Sequence, residues 1–177
     1  MSKTVVLYRS KYGTTKAYAE RIARKLGAEL ADQRKYSASA LDGYDAVVFG
    51  GGIYAGGISG SGWMRRRIKR LGDKPVAVFS VGLTPTDRTD IQQKDWKRSF
   101  RGVPEGRIGF FHFPGRLEMD RLTRMHRFMM GMRNRMAHTK AVQTTGTPVL
   151  ELTQPLVDYI RARLHGARTA GDPSVSP

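Results

Sequence analysis

Thr4-Val5-Val6-Leu7-Tyr8-Arg9-Ser10-Lys11-Tyr12-Gly13-Thr14-Thr15 opens as a short apolar, β-branched run and then breaks into a polar, glycine-bearing turn. The run TVVLY has the character of a strand buried on both faces. From Thr15 to Leu26, Tyr18, Ala19, Ile22, Ala23 and Leu26 recur at helical spacing, and Gly27 supplies a C-terminal stop. The polar segment therefore joins the carboxyl end of a strand to the amino end of a helix. It offers three hydroxyls (Ser10, Thr14 and Thr15), a glycine free to turn, and helix-start N–H groups backed by the helix dipole. Those are the parts of a phosphate nest. A plainer reading is a capped helix start with Thr14 or Thr15 as an ordinary N-cap. The spacing matches neither GxxxxGK[ST] nor GxGxxG, so Mg-ATP and NAD are poorly supported.

Outward from this junction the pattern alternates. Ala28 to Gln33, Ala46 to Gly50, Pro75 to Val81, Arg107 to Phe113 and Val149 to Leu152 read as strands. Trp63 to Leu71 reads as a strongly basic helix, Arg88 to Phe100 as a helix with a partial apolar stripe, and Thr153 to Leu164 as a closing helix with Pro155 in its first turn. The sum is a parallel α/β sheet with right-handed crossovers. One domain is expected over residues 1–165, with a frayed Gly, Pro, Ser and Ala tail over 166–177.

Two further loops follow strand ends, where open α/β sheets bind ligands. Gly50 to Gly60 contains Gly52, Ile53, Tyr54, Ala55 and Gly56; its glycines would let the backbone lie flat against a planar ligand, with Tyr54 placed to stack on a ring. A flexible connection anchored by one tyrosine explains the same residues. Ser80, Val81, Gly82, Leu83 and Thr84, followed by Pro85, end the next strand.

Composition narrows the chemistry. The chain has 177 residues, no cysteine, and 31 Lys+Arg against 15 Asp+Glu, a formal net charge of +16. Thiolate chemistry and Cys-based metal sites are excluded, and redox work would need a cofactor. So strong a positive field attracts anionic ligands, lipids or nucleic acids, although no nucleic-acid motif accompanies it, which argues against specific nucleic-acid recognition. No apolar run approaches the roughly 20 residues that span a bilayer, and Met1-Ser2-Lys3 leads straight into a strand without a secretory signal, so a cytoplasmic location is expected. His112, His126, His138 and His165 show no metal-ligand spacing, and His112 reads as a satisfied histidine in an apolar strand.

Together the three loops resemble the flavodoxin family, over Thr4 to about Leu164. The resemblance implies a doubly wound five-stranded parallel sheet of order 2-1-3-4-5 and FMN as cofactor. Ser10, Lys11, Tyr12, Gly13, Thr14 and Thr15 would hold its phosphate, and Gly52 to Gly56 and Ser80 to Thr84 would wrap its ring. Within the family, the GGIYAGG loop, FSVGLTP and an insertion over about 114–147 are most similar to the menaquinone-dependent protoporphyrinogen dehydrogenase branch. In that insertion Leu122, Met125, Met129, Met132 and Met136 form one helical stripe flanked by Arg121, Arg124, Arg127, Arg133 and Arg135. Such a basic amphipathic helix suits an anionic membrane surface or a hydrophobic partner; equally, the stripe would pack on the sheet and leave the arginines solvated. The branch implies peripheral membrane or substrate contact through Arg121, Arg124, Met125, Arg127, Met129 and Met132.

No residue is assigned a catalytic role, since the chemistry would reside on the flavin. Positive charge near the ring would stabilise the negatively charged reduced flavin and raise its potential, favouring an oxidase or quinone-linked role. The leading expectation is an FMN-dependent oxidoreductase passing electrons from a hydrophobic or anionic substrate, such as a porphyrinogen, to a quinone. Its rivals are a non-enzymatic electron-transfer flavodoxin docking an acidic redox partner, and an FMN-free module binding anionic partners.

Overall fold

A computed structural model describes residues 2–84, 87–115 and 149–169, and side chains through 166. Its core is a parallel sheet built from β1 (Thr4–Arg9), β2 (Glu29–Asp32), β3 (Ala46–Tyr54), β5 (Val76–Gly82) and β6 (Gly109–Pro114), in the order β2-β1-β3-β5-β6. A two-residue strand, β4 (Gly57–Ile58), pairs antiparallel with the end of β3. Counting only the parallel strands, this is the expected 2-1-3-4-5 order, with β4 added.

Parallel strands must be covered on both faces, and their apolar runs answer that need. On one face Val6, Val48, Ala77, Phe79 and Phe113 meet Tyr18, Ala19 and Ile22 of α1 (Thr14–Leu26) and Leu156 and Ile160 of α4 (Gln154–Thr169). On the other, Val5, Leu7, Val47, Phe49 and Val78 meet Leu41, Met64, Ile68, Leu71 and Phe100. The short helix α2 (Ser61–Arg65) and α3 (Thr89–Ser99) lie on that second face. The helix α1 stops where its sequence says it should: Gly27 adopts a left-handed φ of 61°, and the Ala28 N–H reaches back to the Ala23 carbonyl at 2.9 Å.

Three local expectations are corrected. Trp63 to Leu71 is not one helix, because α2 ends at Arg65 and a 3-10 turn runs over Ile68–Leu71. The break falls at Arg67. Its guanidinium stacks 4.0 Å from the Trp63 ring centroid and donates to the Trp63 carbonyl at 2.7 Å, while its own N–H goes to the Met64 carbonyl. The i,i+4 acceptor is thereby taken by a side chain, and Arg65, Arg66, Arg67, Lys69 and Arg70 would repel one another on a longer helix. Val149 to Leu152 forms no strand: Leu150–Thr153 is a 3-10 turn closed by the Thr153 hydroxyl donating to the Leu150 carbonyl at 2.7 Å. The closing helix also outlasts its expected end at Leu164, continuing to Thr169.

The expected amphipathic helix of the insertion, with Arg121, Leu122, Arg124, Met125, Arg127, Met129, Met132, Arg133, Arg135 and Met136, lies outside the described residues, as do His126, His138 and Pro85. No described helix is long and apolar enough to cross a membrane.

Candidate functional site

The three loops emerge from adjacent strands, β1, β3 and β5, at the carboxyl edge of the sheet. In the first, Gly13 and not a threonine is the N-cap of α1, so Thr14 and Thr15 belong to the helix itself. Gly13 has φ 95°, a conformation that a side chain disfavours, and its N–H donates to the Ser10 hydroxyl at 3.0 Å. No side chain among the described residues caps α1, and its first turn holds no acid. The dipole end of a 13-residue helix therefore lies beside Ser10, Thr14 and the buried Thr15, with no acid in the helix's own first turn. Lys11 lies with its ammonium 5.5 Å from the Tyr12 ring centroid. Behind the loop, Arg9 is held by the buried Gln33, whose carbonyl accepts from its guanidinium at 3.2 Å.

The glycine-rich second segment is mostly strand. β3 runs on through Gly50, Gly51, Gly52, Ile53 and Tyr54, and only Ala55 and Gly56 form the turn. Both turn residues have positive φ, 48° and 72°, as a tight two-residue hairpin requires. The strand glycines serve close approach. A Cβ at Gly50 would stand 2.0 Å from the Phe79 ring, and one at Gly51 2.4 Å from the Ser59 carbonyl oxygen. A Cβ at Gly52 would crowd the Tyr54 ring at 3.0 Å, so that ring folds back over the strand end. Tyr54 also meets Tyr12 of the first loop, ring centroids 6.3 Å apart. Burial first, and then the neighbouring Tyr12, push the Tyr54 phenol above its ordinary range.

In the third segment Ser80 and Val81 are interior: the Ser80 hydroxyl lies in a buried polar chain and Val81 joins the core against α1 and α4. Gly82, Leu83 and Thr84 are the half-buried residues at the rim. Gly82 lies against the Ile53 side chain, which a Cβ there would approach to 3.0 Å, so the second and third loops touch. Its carbonyl accepts from Gly115 N–H at 2.7 Å.

The sequence pattern does not reveal what braces these loops. The Ser99 hydroxyl of α3 accepts from the Ile58 N–H at 3.0 Å, and Arg98 and the buried Asp95 flank Gly56. From β6, His112 reaches the Thr84 carbonyl at 2.9 Å. Only the Ser80–His112 register of β5 and β6 brings these partners together, a pairing that no local spacing announces. A separate cleft of about 890 Å³ opens among Lys3, Leu26, Tyr44, Arg161 and His165, and shares no residue with the three loops. The described residues contain no group of three His, Asp or Glu able to hold a metal.

A family model for the flavodoxin domain matches residues 5–144. The chain belongs to the flavodoxin domain family. A flavodoxin-like fold is also shared with the Flv1 flavodiiron core from Synechocystis sp. PCC6803, at 12% identity over 93% of this chain and 36% of that one, TM-score 0.54. A WrbA-like flavodoxin from Agrobacterium tumefaciens is 26% identical over 56% of this chain and 74% of its own, TM-score 0.44. A flavoprotein from Lactobacillus acidophilus NCFM, solved in complex with FMN, is 16% identical over 65% and 93%, TM-score 0.40. No curated protein matches. The donor set of this flavodoxin domain suits a phosphomonoester: Ser10, Thr14 and Thr15 supply hydroxyls at the start of a helix that has no side-chain cap among the described residues and no acid in its first turn.

Proposed function

We propose that this chain is an FMN-dependent oxidoreductase of the protoporphyrinogen dehydrogenase type, taking electrons from an anionic, largely hydrophobic substrate and delivering them to a quinone. One observation carries the reading: α1 begins without a side-chain cap beside Ser10, at the carboxyl edge of a flavodoxin sheet and next to two rims that touch each other. Bound FMN supplies two-electron redox chemistry at its ring. The chain's own part is to bind, orient and tune. Ser10, Thr14 and Thr15, with the amides of Thr14 and Thr15, would grip the phosphate; Tyr54 with the Ala55-Gly56 turn, and Gly82 to Thr84, would border the ring. The surplus of 31 cations over 15 acids favours an anionic substrate. Only charges within about 10 Å act strongly at 0.1 M salt, so Lys11 and Arg98, at the first loop and the hairpin turn, count for more than the total. The quinone acceptor would bring the protein to a membrane surface, with the Arg121–Met136 segment as the proposed contact.

The test is anaerobic. Protein reconstituted with FMN is mixed with protoporphyrinogen while the flavin absorbance is followed, and menaquinone is then added. Bleaching by the first and recovery with the second is the expected result. A flavin that dithionite bleaches and protoporphyrinogen does not would replace the proposal with plain electron carriage. Protein that takes up no FMN would leave only an anion-binding module.

A further inference from the structure

A chain of four hydrogen-bonding groups crosses from α3 to the rim of the third loop. Trp96 Nε1 donates to the Ser80 hydroxyl at 3.2 Å, the hydroxyl lies 2.9 Å from His112 Nδ1, and His112 Nε2 lies 2.9 Å from the Thr84 carbonyl oxygen. A carbonyl only accepts, so Nε2 carries a proton; an indole N–H only donates, so the Ser80 hydroxyl receives it. The hydroxyl's own proton has two acceptors within reach, His112 Nδ1 at 2.9 Å and the Phe111 carbonyl at 3.4 Å, and the shorter contact favours Nδ1. Every group is then satisfied with His112 neutral. Burial works the same way, lowering the imidazole's affinity for a second proton, against a pull from the Thr84 carbonyl and from Asp95.

Ser80 is fully buried, and its register partner His112 is partly buried beside it. An apolar pair would fill that interior, and a polar pair there must be hydrogen-bonded or destabilise the fold. The far end of this chain is a loop carbonyl at the candidate ring site. The same helix also fixes the second loop, through the Ser99 hydroxyl on the Ile58 N–H.

We propose that His112 is a positioning residue: its Nε2–H holds the Thr84 carbonyl and so sets the Gly82–Thr84 loop, while Ser80 and Trp96 lock the ring and register that loop to α3. For its consequence on the cofactor, the proposal rests on reading this loop as one wall of the FMN site. No sequence motif assigns His112 such a role.

Two isosteric variants separate its two nitrogens. His112→Gln places an amide N–H near the Nε2 position and keeps the Thr84 contact, whereas His112→Asn mimics Nδ1 and loses it. In the FMN-free protein, 15N relaxation at Gly82, Leu83 and Thr84 reports loop order, with Val47 and Val48 as core references. The loop is expected to stay ordered in wild type and His112→Gln and to become mobile in His112→Asn, with the references unchanged. FMN affinity, titrated by flavin fluorescence, should fall about tenfold in His112→Asn and stay within about threefold in His112→Gln. Equal loop order in His112→Asn and wild type, or equal release in both variants, would overturn the proposal. Should His112→Asn fail to fold, Ser80→Ala removes only the hydroxyl that links Trp96 Nε1 to His112 Nδ1 and must loosen the same three residues; an unchanged loop would count against the chain. If the wild type binds no FMN, the cofactor reading falls, while the relaxation result still decides the role of His112.

Discussion

Replacing Gly50 by alanine adds one methyl at a point of the sheet where no room exists. A Cβ there would stand 2.0 Å from Phe79 Cζ and 2.4 Å from each of its two Cε atoms. Phe79 is fully buried, with Phe113 at 5.4 Å between ring centroids on the same face of the sheet. To reach an ordinary contact the ring tip must retreat by about 1.4 Å into a core packed as densely as an organic crystal. Overpacking of this kind costs about 1–3 kcal/mol. For a chain of this length about 3 kcal/mol corresponds to roughly 6–12 °C in Tm. Urea unfolding at constant m measures the cost, and a double-mutant cycle with Phe79→Leu isolates its origin. The smaller side chain should make Gly50→Ala cheaper by about 1 kcal/mol or more. Strict additivity, or a Gly50→Ala protein within about 0.5 kcal/mol of wild type, would show that Phe79 does not demand this glycine.

Four other outcomes follow from named contacts. Ser99→Ala leaves the buried Ile58 N–H without its acceptor and should destabilise the protein by about 1–3 kcal/mol, with faster hydrogen exchange at the Ile58 amide. Tyr18→Phe removes the hydrogen bond to the Pro114 carbonyl, for about 1 kcal/mol by denaturant titration, while the stacking on Phe113 survives. Gly13→Ala forces a side chain onto φ 95°, at about 1–2 kcal/mol, and should weaken FMN binding as the first loop shifts; unchanged affinity would detach that loop from the phosphate. Finally, burial lowers the His112 pKa, with the Thr84 carbonyl and Asp95 opposing it. The unfolded chain then binds the proton more readily, so this contribution to stability is complete above about pH 6.5 and is lost as pH falls below it. The urea midpoint should drop between pH 7 and pH 5 less steeply in His112→Gln than in wild type.

The strands were legible because a parallel sheet buries both faces, and TVVLY, AVVFG and PVAVFSV carry that requirement in their composition. The helix α1 was legible through its periodicity and Gly27. What could not be read was set by side chains distant in sequence or by competition for backbone groups. The Arg67 guanidinium sits on the Trp63 carbonyl where the basic helix ends, a contact that periodicity does not register. The glycine run appeared as a flexible loop, whereas Phe79 and Ser59 make Gly50 and Gly51 obligatory inside a strand. Of the candidate site, the strand-to-helix junction over Ser10 to Thr15 stood in the sequence, apart from Gly13 taking the N-cap position. The brace from Trp96 through Ser80 and His112 to Thr84 did not, since it depends on the β5–β6 register and on where α3 lands.

Titrating the FMN-free protein with FMN and, separately, with riboflavin compares the same ring with and without a phosphate. If the uncapped start of α1 and its hydroxyls grip that phosphate, FMN binds one to a chain with oxidised-flavin absorbance, and riboflavin binds at least about a hundredfold more weakly, the equivalent of two charge-assisted hydrogen bonds. Equal affinity for the two, or no uptake of either, would contradict the assignment of Ser10 to Thr15 as a phosphate site.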